Sequence, residues 1–178
     1  MNIWKSPIVE FTDKSVLVLM DPIEAYQNLY NEKHIQNINK LIDAANKKDI
    51  TVVFTQWIRV KPDNVVDEID RKGHWSCFVP NNQTNILKTI KVDYNSTIVP
   101  VKHTNAFMHT EFTDLLQDKK HIVLGGCWLE SCIINTARAA IDRNCSVSVV
   151  SNCSTGHFPF NYISLFDIQM VYGNIVRI

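Results

Sequence analysis

The strongest constraint on the fold is the regular alternation of two apolar patterns along the chain. Short continuous apolar runs, such as SVLVLM at Ser15–Met20, are typical of strands buried on both faces of a sheet. Between these runs, apolar residues recur at the three- and four-residue spacing of helices with one buried face. The predicted strands are Ser15–Met20, Ile50–Thr55, Ile98–Val101, Ile122–Leu124, Ser146–Val150 and Ile175–Ile178, and the predicted helices are Glu32–Lys48, Glu111–Gln117, Ser131–Arg143 and Asn161–Tyr172.

This alternation predicts a doubly wound α/β fold with three layers, α/β/α. Strands that are separated by helices pair in parallel, so we expect a mostly parallel sheet of about six strands. The 178 residues fit one domain, which we expect to span 1–178. The composition, 46% apolar and 20% charged, is typical of a globular chain.

Charge and cysteine content exclude several classes of protein. Lys and Arg total 18 and so do Asp and Glu, which argues against a basic surface for nucleic acid or for membrane lipids. No apolar run approaches the ~18 residues of a membrane span, and the start lacks the apolar core of a signal peptide. Five irregularly spaced cysteines without a C-x-x-C pair indicate reduced thiols. We therefore expect a cytoplasmic protein with no nucleic-acid or membrane partner.

One long segment, Trp57–Asn85, breaks the alternation. It is polar and contains Pro62, Gly73 and Pro80. Long loops inside compact domains are often the lid or rim of a site. A plain surface excursion is an equally weighted interpretation.

Three chemically distinct side chains follow predicted strands. Asp21 follows the first strand, Lys102 follows the third, and Cys132 lies at the predicted helix start after the fourth. Ligands of doubly wound sheets bind at the carboxyl ends of the strands, so these groups should share one edge. Taken singly, Asp is common as a cap, Lys is usually solvated and buried Cys is usually apolar filler.

The position of Cys132 favours nucleophilic chemistry. Unpaired N–H groups and the helix dipole at a helix start stabilise a thiolate, and the Lys102 ammonium would add to this effect. We therefore expect a depressed pKa for Cys132. Asp21 is a candidate to take the thiol proton and return it to a leaving group. Backbone N–H groups around Trp128 and Cys132 are candidates for an oxyanion hole.

Four segments of the chain resemble a known family: LVLMDP, VVFTQW, VKHTNAFMHTEFTDLL and LGGCWLESCIINTARAAIDRNCSVSVVSNCS. The last contains a G-x-x-x-x-x-C block followed by T-A-x-x-A, formed by Gly126, Cys132, Thr136, Ala137 and Ala140. The third contains Lys102, Ala106, Phe107 and Thr110. In these features the chain resembles the isochorismatase-like superfamily, or cysteine hydrolases, which includes nicotinamidases and N-carbamoylsarcosine amidases.

The resemblance implies roles for individual residues. Asp21, Lys102 and Cys132 would form a catalytic triad, and the Cys127–Trp128 peptide bond would be cis. Two departures from the family pattern matter. Ile23 replaces a frequent Gln, and the stretch TQWIRV lacks the Asp-x-His metal site of nicotinamidases. We therefore expect no catalytic metal and no cofactor.

The sequence is compatible with three functions. The presence of Cys132 favours hydrolysis of a C–N bond in a small amide through a thioester. The stretch RVKPDNVVDEIDRKGHW and the WLES segment resemble isochorismatases proper, which cleave a vinyl ether to give pyruvate and 2,3-dihydro-2,3-dihydroxybenzoate. Ile23 is the one feature that favours a catalytically idle binding module.

Substrate contacts and assembly are less constrained by the sequence. The candidates for an aromatic pocket wall are Trp57, Trp75, Phe78 and Trp128, and those for binding carboxylates are Arg59, Lys61 and Arg71. Plain core packing, for the aromatic residues, and a solvated loop, for the basic ones, are the alternatives. Because relatives commonly form dimers or larger assemblies, we expect a homo-oligomer acting on a small-molecule substrate.

Overall fold

A computed structural model describes residues 6–59 and 78–178 of the chain. Within them, six strands form one parallel sheet: β1 Ser15–Met20, β2 Val52–Trp57, β3 Ser96–Val101, β4 His121–Gly126, β5 Ser146–Ser154 and β6 Asn174–Val176. Their order in the sheet is β3-β2-β1-β4-β5-β6. The doubly wound parallel sheet predicted from the sequence is confirmed.

Four α-helices accompany the sheet in the described residues, together with short 3₁₀ and π-helical turns. The α-helices are α1 Glu32–Asn46, α2 Thr110–Leu116, α3 Ile134–Ile141 and α4 Phe160–Asp167. A π-helical turn, Leu129–Ile133, leads directly into α3, and a second one, Ile168–Tyr172, continues α4. The 3₁₀ turns are Glu24–Leu29, Asn81–Gln83 and Ala106–Met108.

The core lies in two layers, one on each face of the sheet. Strand β1 is fully buried, and its side chains alternate between the faces. Leu17 and Leu19 pack with the apolar side of α1, whereas Val16 and Val18 pack with residues of α2, α3 and α4. This arrangement is the predicted α/β/α sandwich, with one α-helix on one face and three on the other.

The strand order places the ends of β1 and β4 at the centre of one sheet edge. Numbering runs one way from β1 through β2 to β3 and the other way from β4 to β6, so the order reverses between β1 and β4. Such a switch point is where doubly wound sheets bind ligands, outside the carboxyl ends of the strands. Asp21 directly follows β1 at this point, and Cys127 directly follows β4.

Gly126 permits the close approach of β4 to β1 at this edge. It pairs with Met20, its φ is +100°, and a Cβ there would lie 2.6 Å from Met20 N and collide with Met20 O. Both the positive φ and the contact with backbone exclude a side chain without a shift of the strands.

We expect Gly126→Ala to lower the free energy of unfolding by ~3 kcal/mol or more, because neither the β4 backbone nor the β1 backbone can move without disrupting the sheet. Gly125→Ala is the matched control, since its Cβ would lie 3.1 Å from Leu19 Cδ2, a side-chain atom that can move. Urea denaturation of both variants measures the difference. A loss for Gly126→Ala that does not exceed that of Gly125→Ala would contradict this account.

Candidate active site

Asp21 is fixed at the end of β1 by reciprocal hydrogen bonds with β2. Its backbone N–H donates to Thr55 Oγ1 over 3.0 Å, and the Thr55 hydroxyl donates to Asp21 Oδ1 over 2.6 Å. The residue is 0% exposed and has a φ of 47°, a left-handed conformation that Asp tolerates better than most residues. The Cys127 thiol donates to Asp21 O over 3.3 Å. The carboxyl group is therefore held in one orientation at the switch point.

Burial raises the pKa of Asp21 to about 6, because desolvation penalises the charged carboxylate. Hydrogen bonding from Thr55, the Cys132 thiol and the Trp57 backbone opposes this rise. Oδ2 has no partner among the described residues at hydrogen-bonding distance and angle. The Cys132 thiol thus lies near enough to the carboxyl group to lower its pKa, although the geometry is not that of a full hydrogen bond.

Cys132 lies in the π-helical turn that precedes α3 and is 4% exposed. Burial, followed by the negative charge of Asp21, raises the pKa of its thiol well above the ordinary value. The backbone N–H of Trp128 donates to the sulfur and acts in the opposite direction. The depressed pKa expected from the sequence is therefore wrong, because the thiol is desolvated beside a carboxylate.

These two residues form an acid–base pair in which the proton can move from the thiol of Cys132 to the carboxylate of Asp21. At neutral pH the carboxyl group of Asp21 is mostly ionised and the thiol of Cys132 is protonated. A carboxylate in contact with a thiol can accept its proton as the sulfur attacks an electrophile. The pair can thus form a nucleophilic sulfur when an electrophile is present, although the thiol is protonated in its absence.

Lys102 lies at the same sheet edge, directly after β3 and two strands from β1. It is exposed, and its backbone N–H donates to His109 Nε2 over 3.1 Å. Burial, followed by the charges of His103 and Lys102, lowers the pKa of His109, whereas the pKa shifts of Asp21 and Cys132 arise from burial and from groups other than Lys102. The expected effect of Lys102 on the thiol is therefore not seen.

Trp128 forms an aromatic wall beside the pair. The peptide bond between Cys127 and Trp128 is cis, which is the geometry that the family resemblance implied for it. The rings of Trp128 and Tyr26 pack in a T-shaped arrangement with their centroids 5.3 Å apart. The rings of Trp128 and His157 are stacked, with their centroids 4.1 Å apart and an interplanar angle of 26°. The Trp128 ring therefore lies between those of Tyr26 and His157, and Tyr26 is close enough to Cys132 for their charges to interact.

Glu130 anchors the outer ring of this wall. Its Oε1 accepts from the His157 backbone N–H over 2.7 Å and lies 3.1 Å from His157 Nδ1. A Cβ at Gly156 would collide with Glu130 Oε2, so glycine leaves room for this carboxylate. Sequence reasoning missed Tyr26, Glu130 and His157, because their partners are distant in the chain and no spacing motif marks them.

The other predicted site residues lie in different surroundings. Trp57 is buried in the core layer that also contains Val16 and Val18, and a hydrogen bond from its backbone lowers the pKa of Asp21. Phe78 is half-buried, with the Arg59 guanidinium 4.8 Å from its ring centre. Ile23 is fully buried and forms an isolated bridge with Ile86. The predictions for Trp75, Lys61 and Arg71, and for most of the segment Trp57–Asn85, lie outside the described residues.

Residues 6–59 and 78–178 contain no cluster of three or more His, Cys, Asp or Glu side chains that could hold a metal ion. No helix in these ranges is both long enough and apolar enough to cross a bilayer.

Comparison of the chain with known proteins identifies the family to which its sequence is similar. Residues 16–166 match the family profile described as Isochorismatase domain. None of the curated proteins compared with the chain matches it.

Solved structures share the fold at low sequence identity. An isochorismatase family protein from Burkholderia thailandensis is 19% identical with a TM-score of 0.80, covering 97% of this chain and 95% of that one. A cysteine hydrolase from Pseudomonas syringae pv. phaseolicola 1448A is 18% identical with a TM-score of 0.79, covering 97% and 94%. N-carbamoylsarcosine amidase from Thermoplasma acidophilum is 20% identical with a TM-score of 0.76, covering 92% and 96%.

We expect Asp21→Asn to stabilise the fold as pH rises. The folded-state pKa is raised from 3.8 to about 6, so the buried carboxyl group loses its proton at a cost that accumulates across this window. Asn cannot ionise, tolerates the same φ and keeps an oxygen for Thr55. The gain in unfolding free energy over the parent protein should therefore be ~2–3 kcal/mol larger at pH ~7 than at pH ~4.

Asp49→Asn is the matched control, because Asp49 also has a positive φ, 53°, but is exposed. It controls for the exchange of Asp for Asn at a left-handed position outside the buried site. Urea unfolding at pH ~4 and pH ~7 measures both variants. An Asp21→Asn gain that does not grow between these pH values would show that the carboxyl group is not desolvated as described.

Proposed function

The chain belongs to the isochorismatase family of hydrolases, and from this premise we propose that it cleaves a C–N bond of a small amide through a thioester on Cys132. The observation that carries the proposal is the buried contact between the Asp21 carboxyl group and the Cys132 thiol. Amide hydrolysis needs a nucleophile and a group that moves protons in both directions. A carboxyl group with a pKa of about 6 suits both directions near neutral pH.

The first half of the reaction forms the thioester. The Asp21 carboxylate removes the proton of Cys132 as Sγ bonds to the amide carbon, whose oxygen becomes an oxyanion. The backbone N–H groups of Trp128 and Cys132 are the proposed donors to this oxyanion, and a hydrogen bond from the Trp128 backbone already lowers the pKa of the thiol. The C–N bond then breaks, and protonated Asp21 gives its proton to the departing nitrogen.

The second half regenerates the enzyme. Asp21 removes a proton from water as the water oxygen attacks the thioester carbon. The C–S bond breaks, the carboxylic acid product leaves, and the sulfur recovers its proton from Asp21. One carboxyl group thus serves as base and acid in both halves.

Lys102 completes the proposed triad as a source of positive charge. Its backbone lies two strand spacings, ~10 Å, from β1, so its extended side chain must turn toward Asp21 to act. In that position the ammonium would stabilise the negative charge as it passes from Asp21 to the sulfur and then to the substrate oxyanion. The proposed role therefore requires the Lys102 side chain to reach past the end of β2 toward Asp21.

The aromatic groups near Cys132 favour a substrate with a flat or apolar part. Trp128 and Tyr26 border the thiol, and Phe78 remains a candidate on the side of the Trp57–Asn85 segment, together with Trp57 and Trp75. The four described cysteines, Cys127, Cys132, Cys145 and Cys153, are free, which supports a reducing, cytoplasmic setting.

Vinyl-ether hydrolysis of isochorismate is the second candidate function. It begins with protonation of carbon, and a carboxyl group whose pKa is raised to about 6 is a competent proton donor. This reaction needs Asp21 but has no use for the Cys132 thiol. The two candidates therefore differ in their dependence on Cys132.

We expect Cys132→Ala and Asp21→Asn each to lower kcat for amide hydrolysis by ~10³-fold or more, because nucleophile and proton carrier act as a unit. N-carbamoylsarcosine and nicotinamide are suitable first amides, with product release followed by chromatography. Intact-mass spectrometry of acid-quenched enzyme should show an acyl adduct that Cys132→Ala lacks. Cys145→Ala is the control, since Cys145 is buried between α3 and β5.

Two outcomes separate the candidates. Full amide turnover by Cys132→Ala would refute the thioester mechanism. Pyruvate release from isochorismate that survives Cys132→Ala but not Asp21→Asn would support the vinyl-ether reaction instead. Lys102→Met should lower kcat/KM by ~10-fold or more. A change of less than ~2-fold would show that Lys102 has no role in catalysis.

A further inference from the structure

A second cavity lies beside the end of β5, apart from the candidate active site. It has a volume of about 490 Å³ and is lined by residues of the first turns of α1, the end of β5 and the start of α4. Asp21, Cys132 and Trp128 do not line it. Small-molecule sites in proteins are clefts of ~300–1,000 Å³, so this cavity is large enough for a ligand of its own.

Part of the cavity lining is buried and apolar. Leu129 and Leu165 line it and are 1% and 7% exposed. The aromatic ring of Tyr162 also contributes to the lining and is half exposed. A ligand with a flat or apolar part therefore finds surfaces here against which it can be removed from water.

The charge of the cavity lining is positive. Lys33 and Arg177 line it, whereas no Asp or Glu of the described residues does. The Lys33 ammonium has no partner within residues 6–59 and 78–178. Arg177 donates from Nε to Ser6 O over 3.1 Å, which leaves its two terminal nitrogens without a partner in the same ranges. The nearby Glu32 carboxylate lies outside the lining and accepts from Gln36 Nε2 over 3.0 Å.

The start of α1 adds uncharged donors at the same place. Asn31 Oδ1 accepts from the His34 N–H, and His34 Nδ1 accepts from the Asn31 N–H. Burial lowers the pKa of His34, so its imidazole is neutral at pH ~7.5 and carries its proton on Nε2. The N–H groups of Glu32 and Lys33, in the first turn, have no partner in the described part of the chain.

Hydrogen bonds fix the walls of the cavity relative to one another. Asn37 Nδ2 on α1 donates to Asn152 O on β5 over 3.0 Å. The Asn152 side chain in turn binds both the N–H and the main-chain oxygen of Ile178, next to Arg177. The cavity is thus formed before a ligand arrives, which lowers the cost of binding.

We propose that this cavity binds a small organic phosphate, a phosphomonoester that carries a flat or apolar group. A phosphomonoester has a charge of about −1.5 to −2 near pH 7, which matches the two free cations, Lys33 and Arg177. The guanidinium fork fits phosphate oxygens, and N–H groups at a helix start also bind them. The flat or apolar group would pack against Leu129, Leu165 and Tyr162.

The proposed site is close to the candidate active site but does not depend on its chemistry. Leu129 directly follows Trp128, and its N–H donates to Thr155 O over 3.0 Å. The two sites therefore share one turn of the chain and no charged or nucleophilic side chain. Binding of the phosphate requires neither the Cys132 thiol nor hydrolysis of an amide.

Isothermal titration calorimetry of the purified chain with phenyl phosphate and with AMP tests the proposal at pH ~7.5. We expect at least one of these phosphomonoesters to bind with a Kd of ~10–100 µM. Phenol and adenosine, which have the same rings without the phosphate, should bind at least ~10-fold more weakly, and so should inorganic phosphate. Failure of both phosphomonoesters to bind, or equal affinity for one of these matched compounds, overturns the proposal.

Lys33→Gln should weaken binding of the phosphomonoester by ~10-fold or more, because it removes a charge-assisted contact without disturbing the core. Arg177→Gln should have at least the same effect, with circular dichroism to establish that it folds without the bond to Ser6. Lys40→Gln is the matched control, since Lys40 is an exposed lysine of α1 that does not line the cavity. An unchanged Kd for Lys33→Gln, or an equal loss for Lys40→Gln, contradicts the assignment.

Cys132→Ala separates this site from the candidate active site. The variant should bind the phosphomonoester as tightly as the parent protein, because Cys132 does not line the cavity. Loss of binding in Cys132→Ala would place the ligand at the candidate active site and overturn the proposal. Since no turnover is measured, failure of the proposed amide hydrolysis would leave these binding results unaffected.

Discussion

The contact between the buried carboxyl group of Asp21 and the thiol of Cys132 is the interaction on which the candidate site depends. Burial raises the pKa of both groups, and the charge of one raises the pKa of the other, so the pair holds one proton near neutral pH. The protein thereby places a base next to a protonated, unreactive thiol. The thiol becomes nucleophilic when a substrate carbonyl reaches the sulfur, and staying protonated before that limits its oxidation.

The fold creates this contact by bringing two strand ends together. Gly126 lets β4 approach β1 closely, and Thr55 on β2 holds Asp21 from the other side. The chain continues from β4 through Trp128 into the turn that carries Cys132, so acid and thiol meet at the switch point of the sheet. A destabilising buried charge is tolerated here because the surrounding parallel strands are fully packed.

Much of this arrangement was predictable from the sequence. The β-branched runs locate all six strands, and the rule for strand ends in doubly wound sheets brings Asp21 and Cys132 to one edge. The pKa of Cys132 was predicted in the wrong direction, because a helix start is visible in the sequence but desolvation beside a carboxylate is not. Tyr26, Glu130 and His157 were missed because their contacts join residues far apart in the chain: Tyr26 and His157 with Trp128, and Glu130 with His157.

The pH dependence of Cys132 alkylation by iodoacetamide, followed by mass spectrometry of the Cys132 peptide, tests the shared-proton account most directly. In the parent protein the rate constant should rise with an apparent pKa of about 6, as ionised Asp21 begins to accept the thiol proton, and then level off through neutral pH. In Asp21→Asn this step should vanish, and reactivity should appear at alkaline pH alone. An identical profile in the two proteins would contradict the account, because Asp21 would then have no part in activating the thiol.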